Sequence, residues 1–441
     1  MEEGSLKRAL GPWALWGLGV GYVISGEYFG WNLGLPLSGS VGMLIATLLV
    51  TLMYVGFVLS YAELACALPK AGGAFVYAER AFGPFVGFMA GLAQWIEFVF
   101  APPAIAMAIG AYLAQRYPGS DPRLFAALSY FVFTALNAWG VKQAAVFELF
   151  VTVLAVAELL LFVGVTLPAF RLEAFMHDPM PHGVSGVLAA LPFAIWFYLA
   201  IEGVANAAEE AKNPQRDVAF GFGAALATLV VLALLVFVAA VGVAGWPAIV
   251  YAPGSSEASD APLPLALAHV VGRDSLLYSL LISVGLFGLV ASFHGILLAA
   301  GRATLALGRA GFLPAILGHV HAPSGTPRVA LALNLGFGLL AICSGSTAEI
   351  ITLSCLGALL LYVISLAALF RLRAREPDLV RPYRAPFYPW SASLALILSL
   401  LCLGALVVSH VAVAALFLLV IGLGCAHYVV NVRGRVERVL K

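Results

Sequence analysis

The sequence predicts an all-α integral membrane protein of twelve transmembrane helices. Three observations carry that expectation. Of the 441 residues 62% are hydrophobic and 10% charged, with a mean hydropathy of +1.01, far from the balance of a water-soluble domain. Apolar runs of roughly 20 residues, enough for one helix to cross a bilayer core, recur along the chain. Lys and Arg fall almost wholly in alternate gaps between those runs.

The runs, in order, begin with Trp13 to Leu35. Lys7 and Arg8 ahead of it imitate a signal peptide, but the run is long and lacks a small-residue cleavage site, which makes it a first span. Val41 to Leu68, Phe85 to Leu113, Leu124 to Trp139 and Ala144 to Leu167 follow. The next five are Val184 to Ala208, Val218 to Val243, Leu276 to Leu298, Val329 to Cys343 and Ile350 to Phe370. Trp390 to Ser409 and Val411 to Val430 close the set, split by a tight turn near His410. The segment Gly245 to Asp274, with its Pro, Gly and Ser, reads as loop.

Counting bases on alternate sides gives about 19 on the side of the N-terminus and about 4 on the other, which accounts for all 23. Both termini, residues 1–12 and 431–441, are therefore expected in the cytoplasm of a bacterium, with the chain in its inner membrane. A net charge of +1 gives no bias toward nucleic acid. Cys66, Cys343, Cys355, Cys402 and Cys425 lie in or beside apolar runs without CxxC spacing. Neither a disulfide nor a zinc site is expected, and no cofactor is implied.

No Lys or Arg lies deep inside a run, whereas Glu27, Glu63, Glu97, Glu148, Glu158 and Glu202 do. A carboxylate in the membrane costs several kcal/mol unless it is protonated or meets a cation or water. The missing partner is a proton, a metal cation or an organic ammonium; hydrogen bonding of a neutral carboxyl is the plainer reading, preferred for Glu63 and Glu148 near span ends.

Two runs look interrupted. The first contains Ser25-Gly26-Glu27-Tyr28-Phe29-Gly30-Trp31-Asn32-Leu33-Gly34, and the sixth Trp196-Phe197-Tyr198-Leu199-Ala200-Ile201-Glu202-Gly203. They are five spans apart, which suits a five-plus-five inverted repeat, residues 13–168 and 184–372, with 390–430 as two added helices. Glycines also serve plain close packing.

Short motifs in order along nearly the whole chain resemble the amino acid, polyamine and organocation permeases. They are Ala62-Glu63-Leu64 with Pro69-Lys70-Ala71-Gly72-Gly73, then Gly83-Pro84, then Ala208-Glu209-Glu210-Ala211-Lys212-Asn213-Pro214. Gly301-Arg302, Gly308-Arg309-Ala310-Gly311-Phe312-Leu313-Pro314 and Tyr383-Arg384-Ala385-Pro386 complete the pattern. Within that family the ethanolamine permeases are suggested by Ile24 to Asn32, by Ile96-Glu97-Phe98 with Ala101-Pro102-Pro103-Ala104, and by Ile201-Glu202-Gly203-Val204-Ala205-Asn206.

The resemblance implies a leucine-transporter-like fold and a secondary transporter that imports a small amine, ethanolamine first, with amino acids, GABA and polyamines as alternatives. It also implies substrate contacts at the first break, Gly30-Trp31-Asn32, where Asn replaces the family's second glycine, and at the sixth, Glu202-Gly203. Trp196 resembles an aromatic lid, or packs in the bundle; Glu97 and Glu202 are candidates for substrate or proton, and Glu27 for substrate. Tyr198 and Tyr22 offer faces to a cation. Some members of the family use a proton-linked Lys in the fifth span, which here has no Lys and carries Glu158 instead; with Glu97, Glu202 and His294 it is a coupling candidate.

A membrane-embedded enzyme would need a nucleophile with its base, or a bound metal. The chain has no HExxH, no GxSxG and no adjacent His and carboxylate on one helix face. Twelve spans without a sizeable soluble domain also speak against a receptor. Oligomeric state is left open.

Overall fold

In a computed structural model the described residues form helices joined by turns and loops, and the structure describes residues 8–70, 72–117, 119–139, 144–321, 324–344 and 346–433. Lys7, Ala71, Lys142 and 434–441, used above for orientation and family pattern, lie outside the described residues.

In chain order the helices are α1 (Pro12–Val23), α2 (Ser25–Tyr28), α3 (Leu35–Ala67), α4 (Ala74–Phe82), α5 (Pro84–Arg116), α6 (Pro122–Trp139) and α7 (Ala144–Thr166). The short α8 (Leu172–Phe175), α9 (Gly183–Ala189), α10 (Leu191–Ile195) and α11 (Gly203–Asn206) precede α12 (Pro214–Ala244). The rest are α13 (Trp246–Val250), α14 (Pro262–Val271), α15 (Leu276–Arg309), α16 (Arg328–Ser344), α17 (Thr347–Arg375), α18 (Trp390–Ser409) and α19 (Val411–His427). Among the described residues eight helices are long and apolar enough to cross a membrane, which makes this an all-α, multi-pass membrane protein.

Four boundaries depart from the sequence reading. The first run does not continue as a helix to Leu35: it breaks after Tyr28, and Leu35 instead opens α3, whose kink sits at Gly39 (φ 67°). Gly39 approaches the carbonyls of Asp178 and Pro179 so closely that a Cβ would lie 2.5 Å from either, so both its backbone angle and its surroundings exclude a side chain. The stretch 245–274 is not all loop, because Pro247, Pro262 and Pro264 start α13 and α14, where a missing N–H costs nothing. Helix α15 runs on to Arg309 and α17 to Arg375, so Arg302, Arg309, Arg371 and Arg373 ride on helix ends rather than in loops.

The bundle is built around α5, which packs along α17, α15 and α6, while α1 lies between α12 and α7. Gly357 lets α17 ride on α5: a Cβ there would lie 2.7 Å from the Ala93 carbonyl oxygen. The two interrupted helices meet at the same level. A Cβ on Gly26 would lie 2.4 Å from the Trp196 carbonyl oxygen, and one on Gly30 2.4 Å from the Trp196 ring.

Candidate functional site

The sixth run is helical to Ile195, turns irregularly through 196–202 and resumes at Gly203. Within the turn Ala200 has φ 75°, a conformation that costs an L-residue energy and persists only where neighbours hold it. One neighbour is Glu97 on α5, whose Oε1 accepts the Ala200 N–H at 3.2 Å. Glu97 is fixed from the other side by Ser354 Oγ, which donates to its backbone carbonyl at 2.8 Å.

Glu202, at the end of the turn, accepts from Tyr362 Oη at 3.0 Å. Tyr362 contacts Tyr54 Oη at 3.1 Å, and Tyr198 Oη pairs with Thr51 Oγ1 at 2.7 Å. The carboxyls of Glu97 and Glu202 are neighbours at this turn. Two buried carboxylates side by side repel, so at most one of them is ionised until a cation joins them. Both side chains are fully buried, and among the described residues no Lys or Arg is buried with them.

At the first break, Phe29 is extended and Gly30 has φ 92°, an angle that favours glycine. The Gly30 N–H donates to Asn32 Oδ1 at 3.0 Å, and Asn32 Nδ2 donates to the Ser259 carbonyl at 2.8 Å. Glu27 is fully buried with neither carboxyl oxygen partnered among the described residues. Trp196 packs its edge against Phe29, with centroids 5.4 Å apart, and covers Gly30. Trp31 stacks on Phe197 at 6.0 Å, with Nε1 donating to the Glu27 carbonyl. Gly203 serves an approach, since a Cβ there would lie 2.8 Å from the Tyr22 ring.

The remaining candidates stand apart. Glu158 on α7 accepts from Tyr28 Oη at 2.6 Å, and Tyr112 Oη donates to the Tyr28 carbonyl at 3.2 Å. His294 on α15 lies edge-on to Phe133. Beside it, Ser292 Oγ donates to the Tyr22 carbonyl at 2.6 Å and contacts Ser25 Oγ at 2.8 Å.

The structure thus brings Glu97 together with Glu202, and Gly30 with Trp196 and Asn32. Trp31 stays with the breaks through Phe197 and the Glu27 carbonyl, whereas Glu158 pairs with Tyr28 and His294 lies against Phe133. Sequence reasoning missed Tyr54, Tyr362, Thr51 and Ser354, polar groups in apolar runs with no spacing signal. Glu63, read as neutral and hydrogen-bonded or at a span end, does sit at the end of α3, and there Arg373 and Arg381 pair with it and the Ala385 N–H donates to it at 2.7 Å. Helix α17 runs past the apolar segment and carries Arg373 to it. Glu148, read the same way, is buried with Oε1 unpartnered among the described residues and pressed against Gly21.

Above the first break, the loop bearing Ser259 is held a second time, by Thr347 Oγ1 donating to Asp260 Oδ2 at 2.7 Å. Burial pushes the Asp260 carboxyl from its ordinary 3.8 up to about 6. The folded loop therefore binds this proton more tightly than the unfolded chain. Its contribution to stability is full at low pH and lost as pH rises through about 6. Thermal unfolding followed across pH should show that loss between about pH 4 and 6 in the wild type and not in Asp260→Asn.

Comparison with known proteins gives a family match and relatives over most of the chain. Residues 10–425 match the family model described as amino acid permease. An uncharacterized transporter of Rhizobium meliloti is 30% identical over 397 residues, covering 87% of this chain and 83% of its own. The methylthioribose transporter of Bacillus subtilis is 27% identical, covering 87% and 85%. A branched-chain amino acid permease of the same organism is also 27% identical, covering 88% and 85%.

Proposed function

The chain belongs to the amino acid permease family, a family of transporters and not of enzymes, and on that premise we propose that it carries a small solute by the ammonium group that solute bears. The observation that supports this is the buried Glu97 and Glu202 pair, two neighbouring carboxyls without a basic side chain beside them among the described residues. An ammonium has three donors for carboxylate oxygens, and charge-assisted hydrogen bonds of this kind are strong. Glu97 Oε2 and Glu202 Oε1 are without other partners among the described residues.

The class includes amino acids and amines. Relatives named for amino acids, such as the branched-chain permease, support the amino acid reading. A second reading, ethanolamine, is supported by the three carboxyls at the breaks, Glu27, Glu97 and Glu202, which suit a solute that is all cation. Trp196 and Tyr198 border the solute in either case, with Gly30, Asn32 and Gly203 shaping the breaks.

The same reading takes the twelve runs as crossings, repeated five plus five with two added, in a bacterial inner membrane with both termini cytoplasmic. Transport is inward, by alternating access with proton coupling, and one of the buried glutamates exchanges its proton for the solute ammonium during the cycle. Glu158, joined by its hydrogen bond to Tyr28 on the broken first helix, is the candidate for the driving proton, with Glu97 and Glu202 responding to the solute and His294 the remaining coupling candidate.

Uptake of labelled ethanolamine and leucine into proteoliposomes, with choline, GABA and putrescine as competitors, tests the substrate class. Saturable uptake suppressed by ammonium solutes is expected. Transport confined to an uncharged solute such as methylthioribose would sink the proposal. In the same vesicles Glu158→Gln should lose accumulation driven by a pH gradient while keeping solute exchange, at least about tenfold apart. Equal loss of both would move the driving proton elsewhere.

A further inference from the structure

One flank of the bundle carries a cleft away from the solute site. Helices α5, α16, α17 and α19 enclose about 330 Å³ between Phe100, Phe337, Leu340, Leu353 and Leu416, the size of a small-ligand site and many times the space of one water molecule. Its walls are apolar, and Leu340 and Leu416 at its rim are 71% and 48% exposed. Because α5, α17 and α19 are long and apolar enough to cross a membrane, those side chains face acyl chains rather than water. The cleft begins at the first turn of α17 and reaches inward to Phe100, the middle residue of α5. A lipid chain entering at headgroup depth would follow it toward the bilayer centre.

One charged group stands at the mouth. Glu349, the third residue of α17, lines the cleft and is exposed, and its carboxylate has neither an ion pair nor a hydrogen bond among the described residues. An acidic residue in a first turn suits the helix dipole, but the dipole does not require an apolar cleft beside it. Ser344 Oγ, the other polar group at the rim, already donates to the Ala341 carbonyl at 2.6 Å. No Lys or Arg is among the lining residues. An anionic head would find no cation there, and a quaternary ammonium has no N–H to donate, whereas a primary ammonium has three donors for the carboxylate.

We propose that this cleft binds a bilayer phospholipid whose head ends in a primary ammonium, with one acyl chain against Phe100, Phe337 and Leu353 and the ammonium on Glu349. The opposite side of α17 reaches the solute site. Ile351 Cδ1 lies 3.1 Å from where a Cβ on Gly30 would be, and Ser354 Oγ donates to the Glu97 carbonyl at 2.8 Å. The lipid therefore braces α17 from behind without entering the solute's path, whichever solute is carried.

The test presents the purified full-length protein with an equimolar mixture of phosphatidylethanolamine, phosphatidylcholine and phosphatidylglycerol of identical acyl chains, and counts the lipids retained on the intact protein by native mass spectrometry. The wild type should keep phosphatidylethanolamine over each of the others by about fivefold, the size of one exposed ion pair. Glu349→Gln should bring the three to parity. Ala412→Trp, which sets an indole into the cleft from an exposed lining position, should lower retained phosphatidylethanolamine by about fivefold or more.

Equal retention of the three lipids by the wild type would overturn the proposal, as would a preference that survives Glu349→Gln or an undiminished count in Ala412→Trp. Glu349 is at the surface, so its amide variant decides even if the indole variant fails to fold. None of these results depends on uptake, so they leave the reading of the solute site where it stands.

Discussion

Glu97→Gln and Glu202→Gln should each weaken solute recognition, and the double variant should abolish uptake. An ammonium between the two carboxyls needs only one of them ionised, so a single amide can stand in for the protonated partner and leave the charge on the other. Each single change then removes one charge-assisted hydrogen bond to the ammonium, about 1.5–3 kcal/mol, or roughly tenfold to 100-fold in KM. The double change removes the charge, and with it the reason for an ammonium to enter a buried site. Folding should be spared, because a neutral pair that keeps its Tyr362 and Ala200 contacts leaves no buried ion uncompensated. Initial rates over a range of ethanolamine concentrations, with melting temperature as the control, separate the two effects. Uptake by the double variant at wild-type KM would exclude the pair as the ammonium site.

The second large effect concerns stability rather than recognition. Glu63, 1% exposed in its side chain, accepts from both arms of Arg373, lies 3.3 Å from Arg381 Nε and accepts from the Ala385 N–H. Arg373 is also stacked over the Tyr388 ring at 3.7 Å. This cluster fastens the end of α3 to the end of α17 and to the segment leading into α18. Glu63→Ala would leave the Arg381 guanidinium, itself 6% exposed, without its counter-ion and the Ala385 N–H without an acceptor. Breaking a buried pair on one side costs about 3–5 kcal/mol, so a marked fall in melting temperature is expected. Glu63→Gln should lose less, because an amide oxygen still accepts from Ala385. Solute KM in whatever protein folds should not move, and a changed KM would mean that the cluster takes part in recognition.

These residues also mark how far the sequence can be read. The long uniform helices, α5, α7, α12 and α17 to α19, follow from apolar runs alone, since a bilayer leaves helix as the one satisfied backbone for such stretches. The break in the sixth run was legible as a glutamate beside a glycine at depth. Its sharpest point was not, because nothing local sets Ala200 apart. Its conformation is held by a hydrogen bond to Glu97, 103 positions away. Asn32 could be seen as a departure from a family pattern, yet what its amide does depends on Ser259, 227 positions on. Glu63 and its arginine, separated by 310 positions, meet only once α17 continues beyond its apolar segment. Tyr54 and Tyr362 carry no signal, since a tyrosine in an apolar run reads the same whether it packs or donates. Proline misled in the opposite sense, marking loop where it opened α13 and α14.

The contact of Gly26 and Gly30 with Trp196 has a mechanical consequence. With only hydrogen atoms between one backbone and the next group, neither interrupted helix can slide or tilt alone without driving a carbonyl or an indole into its neighbour. The two act as one lever. On the alternating-access reading proposed above, a torque applied to either end would swing both, so the distances within the cradle between them would stay fixed while its exits trade places. Any larger side chain at Gly26 would prise the lever apart, and the transporter would then lose its stroke before it lost its grip on the solute.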